Sequence, residues 1–427
     1  MPLSQSGKIY KFGRFRLDTG ECVLLREGER VAMEPQVYRT LVALIENSQR
    51  LSRKEWLLEQ VWGNTHVEEG GLTRNISVLR KVLGEGCIET VPKRGYRFVA
   101  DTAEVTSGTE SREAYQLYTA GRYHWSQRSE ANLRKATEYF TRAIETDPNY
   151  ARAYSGLADS YTTLGYLSYL PPRDAFVKAS EAAMKALRLD AGLTEPHTSL
   201  GYVRLYYDWD FAEAELEFRR AIALNATYPT AHHWYAVFLT AIGRFEEARE
   251  AIERAQALDP TSLIINTDLG FVLYYSGQYD AAIKQLRLVT EMNAEFPLAH
   301  LWLGRTYQEK MLYEEAIAEF RRAETVLREW PVVKAAIGCA QGASGLRKEA
   351  LATLEDLKRL STERYVTPYG IAVIYAGLGE TDQALAWLYR ALEDRSHWLV
   401  WLMLDPRLAA LRPDTRYRDL LSSVGLP

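Results

Sequence analysis

The sequence predicts a mainly α chain with a small α+β domain at its N-terminus. Three observations carry that expectation. Strand-like alternation is confined to residues 8–33 and 87–100, small side chains recur every 34 residues through the rest of the chain, and the charge changes sign between the two regions. At 427 residues, 47% hydrophobic and 25% charged, the chain has the composition of folded globular protein and the length for more than one domain. Residues 1–100 hold 16 Lys and Arg against 12 Asp and Glu, while the remainder holds 36 against 44. A basic head on an acidic body points to a polyanionic partner for the head.

Cys22, Cys87 and Cys339 are too few and too scattered for a disulfide framework or a Cys-based metal site, which fits a reducing, cytoplasmic setting. The start, MPLSQSGKIYKF, has no apolar run of signal-peptide type. The apolar stretch from Trp398 to Leu404 is far short of the ~18 residues that span a membrane, so no membrane partner is expected.

The N-terminal elements follow in order. IYKFGRFRLD and CVLLREGERVAM alternate apolar and polar residues around turns at Asp18-Thr19-Gly20 and Glu27-Gly28-Glu29, which predicts a four-strand antiparallel segment. From 34 to 47 the period becomes helical, with Val37, Leu41, Leu44 and Ile45 on one face and Pro35 in the first turn. RKEWLLEQVW forms a second helix with Trp56 and Trp62 directed to packing, and the loop from Gly63 to Gly71 leads to a third helix, Leu72 to Leu83. CIETVPKRGYRFVA then makes two strands joined by a basic tip at Lys93-Arg94-Gly95.

Strands, three helices and a terminal hairpin form the order of a winged helix-turn-helix. The run LTRNISVLRKVLGEGCIETVPKRGYRFVA, with the leading four strands, resembles the OmpR/PhoB-type effector domain over about 8–100. The resemblance implies a third helix in the DNA major groove and a wing against the backbone and minor groove of double-stranded DNA. It assigns Thr73, Arg74, Asn75, Ser77 and Val78 to the groove, Lys81 to phosphate, and Lys93 and Arg94 to the wing. The physics agrees, since a helix fits the major groove and six basic residues between 71 and 97 stand against Glu85 and Glu89. Arg80, beside the apolar stripe, is expected to be structural. Ser77-Val78 stand where members often carry basic residues, so base preference does not transfer.

The domains read as 1–101 for the winged helix, 102–112 for a polar linker, 113–398 for the repeats and 399–427 for a capping segment. Ala236, Gly270, Gly304, Gly338 and Ala372 are spaced by 34, and Ala248, Ala282, Ala316, Ala350 and Ala384 keep the same step 12 residues later. Ile252, Leu286, Phe320, Leu354 and Leu388 supply the large partners of these small positions. With Pro148 and Pro260 ending helices, the pattern resembles tetratricopeptide repeats (TPRs). It predicts an α-solenoid of about eight, near 117–150, 151–193, 194–228, 229–262, 263–296, 297–330, 331–364 and 365–398, and a capping helix. An insertion from Leu167 to Asp174 lengthens the turn of the second repeat, and Pro171-Pro172 exclude helix there.

Most aromatics fall on core positions, but Tyr202, Tyr206, Phe271, Tyr274, Tyr275 and Tyr369 fall on the first-helix face that lines the concave groove in this family. The groove positions read Asp159, Tyr202, Val237, Phe271, Arg305, Cys339 and Val373, which is no carboxylate clamp. An aromatic groove suits an apolar protein or peptide segment. No phosphate loop or nucleophile motif appears, His232-His233 have no partner spacing for a metal, and neither an enzyme nor a cofactor is expected. Only about eight residues precede the first strand, so no phosphorylated receiver domain is expected within the chain. Two function classes remain. One is a one-component transcription regulator whose repeats bind a protein or other effector, RNA polymerase among the candidates. The other is a protein-protein interaction scaffold whose winged helix is a docking module.

Overall fold

The alternation at the N-terminus becomes four short strands, β1 (Ile9–Phe12), β2 (Phe15–Asp18), β3 (Val23–Arg26) and β4 (Glu29–Val31), paired antiparallel in sequence order. The structure, a computed structural model, describes residues 9–19, 23–26, 29–62, 69–105, 108–109, 111–328 and 330–426. The expected turns at Gly20 and Glu27-Gly28, the loop from Gly63 to Glu68 and the linker residues Thr106-Ser107 lie outside them. Apolar residues on alternate strand positions, among them Phe12, Phe15, Leu17 and Leu24, form one core with the faces of α1 (Pro35–Glu46), α2 (Lys54–Trp62) and α3 (Glu69–Leu83). Trp56 and Trp62 pack against that core. Helix α3 begins three residues before the expected start, through Gly70-Gly71, which a helix tolerates in its first turn.

A second sheet adds a strand to the expected hairpin. β6 (Ile88–Val91) and β7 (Gly95–Phe98) form the wing, and β5 (Leu51–Arg53), expected only as a brief step, pairs with the other edge of β7. Part of the expected linker is also strand. β8 (Ala103–Val105) pairs antiparallel with β1, so the leading sheet has five strands in the order β4-β3-β2-β1-β8. The unpaired edge of β1 offers hydrogen-bonding groups that the returning chain satisfies.

Cα packing divides the chain into two units, one up to Ala120 together with Arg142–Tyr150, the other Gly121–Thr141 together with Ala151 onward. Among the described residues eight helical pairs follow β8: α4 (Arg112–Ser126) with α5 (Glu130–Thr146), α6 (Ala151–Tyr166) with α7 (Pro172–Leu189), and α8 (Glu195–Val203) with α9 (Phe211–Leu224). Next come α10 (Pro229–Ala241) with α11 (Phe245–Leu258), α12 (Leu263–Tyr275) with α13 (Tyr279–Met292), and α14 (Pro297–Glu309) with α15 (Tyr313–Val326). The last are α16 (Pro331–Ala343) with α17 (Arg347–Leu360) and α18 (Pro368–Gly377) with α19 (Thr381–Glu393). Proline stands in the first turn of α7, α8, α10, α14, α16 and α18, where its missing N–H costs no hydrogen bond. Pro171-Pro172 therefore start a helix: Pro171 precedes α7 and Pro172 opens it, so the expectation that both exclude helix is corrected.

The ladder of small residues works through contact. A Cβ on Gly270 would lie 2.6 Å from the Leu286 side chain, and one on Gly304 would lie 2.5 Å from the Phe320 ring and 2.9 Å from the Ala316 carbonyl oxygen. Gly201 belongs to the same ladder, 2.8 Å from the Phe218 ring. It falls out of the 34-residue step by one position. A single π-turn at Arg204–Asp208 follows α8, the kind of irregularity that absorbs one added residue.

The segment after α19 holds two 3-10 stretches, His397–Trp401 and Pro406–Leu411, and then α20 (Thr415–Val424), opened by the Asp414 carboxylate and closed by Gly425 at φ 76. Because the backbone oxygen of Ala316 cannot retreat as a side chain can, Gly304→Leu should cost about 1–3 kcal/mol of array stability. Urea unfolding followed by circular dichroism measures this, and an unchanged midpoint would refute the packing role.

Candidate nucleic-acid interface and aromatic groove

Helix α3 is buried along Leu72, Ile76, Leu79 and Leu83, which leaves a polar side outward. Thr73, Arg74, Ser77 and Lys81 are exposed on that side. Arg74 reaches Glu34 at 3.2 Å, an exposed pair of the kind worth about 0–1 kcal/mol, which leaves its guanidinium available to a stronger partner. Val78 is half-buried and packs against the core, so its reach is shorter than expected. Asn75 is not on the open side. It is 5% exposed, and its amide donates to the Gln36 carbonyl at 3.1 Å and to Thr40 Oγ1 at 2.9 Å. Its expected place in the DNA groove is corrected, because a buried amide is held by the partners that satisfy it, here joining α3 to α1.

Arg80 is a structural brace, its Nε and Nη2 donating to the Ile88 carbonyl at 3.2 and 2.9 Å and Nη2 to Thr90 Oγ1 at 2.6 Å. The brace fixes α3 against β6 and so sets the wing relative to the helix. At the wing tip Lys93 and Arg94 are both exposed. Lys93 takes φ 63 and Arg94 N–H bonds the Val91 carbonyl at 3.0 Å, a tight turn that presents both cations at its apex. Gly95 makes this possible: at φ 149 its hydrogen faces the Ser52 carbonyl oxygen, which a Cβ would approach to 2.1 Å. The glycine lets β5 and β7 close on each other.

The six groove aromatics lie in the second unit and are brought together, but not as an open surface. Tyr202 stacks on Trp234 with centroids 4.0 Å apart and meets Tyr206 edge-on at 4.9 Å. The segment after α19 covers the others. Trp401 stacks on Tyr275 at 4.6 Å and meets Phe271 edge-on at 5.0 Å, and His397 packs on Tyr206 at 5.8 Å. The Tyr369 hydroxyl donates to Asp405 Oδ2 at 2.7 Å, and Tyr274 is buried beside Trp302. The expected open aromatic groove is corrected: all six side chains are buried, and the chain itself supplies the apolar occupant.

A charged knot pins that occupant. Arg407 grips Asp405 with two bonds, Nε to Oδ1 at 2.9 Å and Nη2 to Oδ2 at 2.6 Å, both residues being nearly inaccessible. Burial alone would raise the Asp405 pKa, but the Arg407 charge and its hydrogen bond, with the Tyr369 hydroxyl, hold it below the ordinary carboxylate value. Glu309 goes the other way, pushed up to about 7 by burial and by the nearby Asp405 charge. The insertion in the second repeat and the π-turn after α8 are tied in by hydrogen bonds as well. Trp330 Nε1 donates to the Leu167 carbonyl at 3.0 Å, Trp398 Nε1 to Ser168 Oγ at 3.3 Å, and Arg395 Nη1 to the Tyr207 carbonyl at 3.1 Å. Among the described residues, no three His, Cys, Asp or Glu side chains gather as metal ligands, and His233 is engaged with Asp268 at 2.6 Å.

Comparison with known proteins fits both halves. Residues 28–98 match the family described as transcriptional regulatory protein, C terminal, and residues 205–264 and 267–332 match two tetratricopeptide repeat families. The chain thus joins an OmpR/PhoB-type winged helix-turn-helix domain to a TPR array. It is 25% identical over 208 residues to the transcriptional regulator HilA of Salmonella typhimurium, across 49% of this chain and 36% of that protein. The match spans about a third of that relative's length. Among solved structures, the APC/C hetero-tetramer Cut9-Hcn1 is similar with TM-score 0.52 and 16% identity, over 91% of this chain and 63% of that one. A human IFIT1 dimer is similar with TM-score 0.51 and 15% identity, over 79% of this chain and 80% of that one. At such identities these two likenesses show the helical-repeat fold alone.

Two outcomes follow. Asn75→Ala should lower the stability of the N-terminal domain by about 1–3 kcal/mol, since it strips the Gln36 carbonyl and Thr40 of their partner, while the folded fraction keeps its duplex affinity. Chemical denaturation and duplex titration on one preparation separate the two effects. Glu309 titrates higher folded than unfolded, so its contribution to stability falls as pH rises from 4.5 to about 7. Glu309→Gln should therefore raise the urea midpoint at pH 8 and leave it unchanged at pH 4.5, and equal shifts at both would disprove the linkage.

Proposed function

We propose that this chain is a sequence-specific, DNA-binding transcription regulator of the cytoplasm, and that its TPR array binds a protein or other effector whose binding alters DNA occupancy. The observation that carries the reading is the exposed polar side of α3 beside a doubly basic wing tip, presented by an OmpR/PhoB-type domain. In this reading Thr73, Arg74 and Ser77 meet the major groove, with Val78 at its margin, Lys81 meets phosphate, and Lys93 and Arg94 meet the backbone at the minor groove. The likeness of half the chain to a transcriptional regulator supports it. RNA polymerase is one candidate partner, reached from DNA-bound chain. The domain types support a non-enzymatic role.

The buried state of the inner face shapes the second half of the proposal. A protein or peptide partner either uses the outer surfaces of the array or displaces residues 397–411 from the inner one. Helical arrays of this kind offer long surfaces for the first route.

Duplex titration of the whole chain at several salt concentrations tests the DNA half. Joint Lys93→Ala and Arg94→Ala substitution should weaken binding and lower the slope of log affinity against log salt by about 2, one for each phosphate no longer neutralised. Absence of any salt-dependent duplex binding by the wild-type chain would instead favour the scaffold reading, with the winged helix as a docking module.

A further inference from the structure

The insertion of the second repeat builds one wall of a cleft. The start of α5, the first turn of α16 and the turn after α17 supply the others, and Glu130, Arg134, Tyr169, Pro171, Pro331 and Arg364 are among the lining residues. Its volume is about 510 Å³, within the ~300–1,000 Å³ usual for small-molecule sites. Ser168, in the inserted wall, takes φ 58, a conformation that a non-glycine residue adopts at a cost and that recurs at ligand clamps. The Trp330 ring, 6.1 Å from that of Tyr169, and its bond to the Leu167 carbonyl hold the wall in place.

Tyr169 is 8% exposed, yet its hydroxyl has no hydrogen-bond partner. A buried hydroxyl left alone is costly, so the position asks for an oxygen or nitrogen from outside the chain. Glu130 and Arg364 both act on it electrostatically without bonding to it, which leaves room for an atom between. Burial raises the Tyr169 pKa, so the hydroxyl keeps its proton and can both donate and accept.

The charges on the walls answer one another. Glu130 pairs with Arg134 at 2.8 Å and with Arg364 at 3.8 Å. With Glu363, which also lines the cleft, two carboxylates stand against two guanidinium groups, so the walls ask no net charge of an occupant. What they offer is hydrogen bonding, since carboxylate and guanidinium groups each present paired sites in one plane, which suit neighbouring hydroxyls on a ring. Pro171 and Pro331 add apolar surface. A polyhydroxylated ring has the matching features, hydroxyls at its edge and C–H bonds on its faces.

We propose that this cleft binds a small neutral sugar, a mono- or disaccharide, whose hydroxyls join Tyr169 to Glu130 and Arg364 while its C–H faces rest on Pro171 and Pro331. The proposal deepens the effector reading, on which only its consequence at DNA rests; the site itself stands on the cleft and the unpartnered hydroxyl.

Isothermal titration calorimetry of the full chain tests it, with glucose, galactose, N-acetylglucosamine, maltose and lactose as probes and glutamate, lysine and inorganic phosphate as charged comparisons at constant ionic strength. At least one sugar should bind saturably, and Tyr169→Phe, which keeps the ring and removes only the hydroxyl, should weaken it by about tenfold. Glu130→Gln should weaken the same sugar as well. Absence of saturable binding by all five sugars overturns the proposal, as does tighter binding of a charged comparison or a Tyr169→Phe chain that titrates like wild type. Duplex affinity measured with and without saturating sugar separates the two claims. Sugar binding that leaves DNA affinity unchanged keeps the site and removes its effector role, whereas DNA binding with no sugar response removes the site and leaves the regulator reading intact.

Discussion

The Trp401 indole, stacked on Tyr275 and edge-on to Phe271, is the contact around which the inner face of the array is organised. Stacked and edge-on aromatic pairs favour defined geometry beyond the area they bury, by about 0.5–1.5 kcal/mol each. Here they hold a segment of short 3-10 turns where an open groove was expected. The Asp405 to Arg407 pair, completed by the Tyr369 hydroxyl, locks the segment a few residues further on. A buried pair of this kind is weak evidence for net stability, but breaking it strands a charge, so it fixes one arrangement against its alternatives.

The repeats make that arrangement possible. Glycine or alanine at each ladder position lets the first helix of a pair approach the second closely enough for one large side chain to fill the gap. Gly304 against Phe320 and Gly270 against Leu286 show the limit reached, since no Cβ fits. The first helices α8, α12, α14 and α18 then turn aromatic residues to one side. Those aromatics would expose a large apolar surface if left open, and the chain covers it with its own tryptophans and histidine.

Most of the fold was legible because its signals are local. The 34-residue step, the alternation in residues 9–18 and the KRG tip each declare themselves within a few residues. What escaped was set by distant partners. β5 and β8 are three residues each and become strands only because β7 and β1 offer an edge. Asn75 has the helical position of a groove residue, yet Gln36 and Thr40, more than thirty residues away, claim its amide. The exposed set Thr73, Arg74, Ser77 and Lys81 was readable from helical spacing alone. Burial of the groove was not, since nothing near Tyr275 or Phe271 in sequence points to Trp401. Proline was a mixed signal: Pro35 was read correctly in the first turn of α1, whereas Pro172, which opens α7, was read as excluding helix.

Self-occupation of the inner face is the central claim, and amide hydrogen exchange by mass spectrometry tests it most directly. The backbone bonds of the segment, such as Asp405 N–H to the Trp401 carbonyl at 2.7 Å and Leu408 N–H to the Asp405 carbonyl at 3.2 Å, should exchange as slowly as those of α12 and α14, because all open together. Exchange of residues 399–411 at the rate of an unstructured peptide, with α12 and α14 still protected, would contradict it.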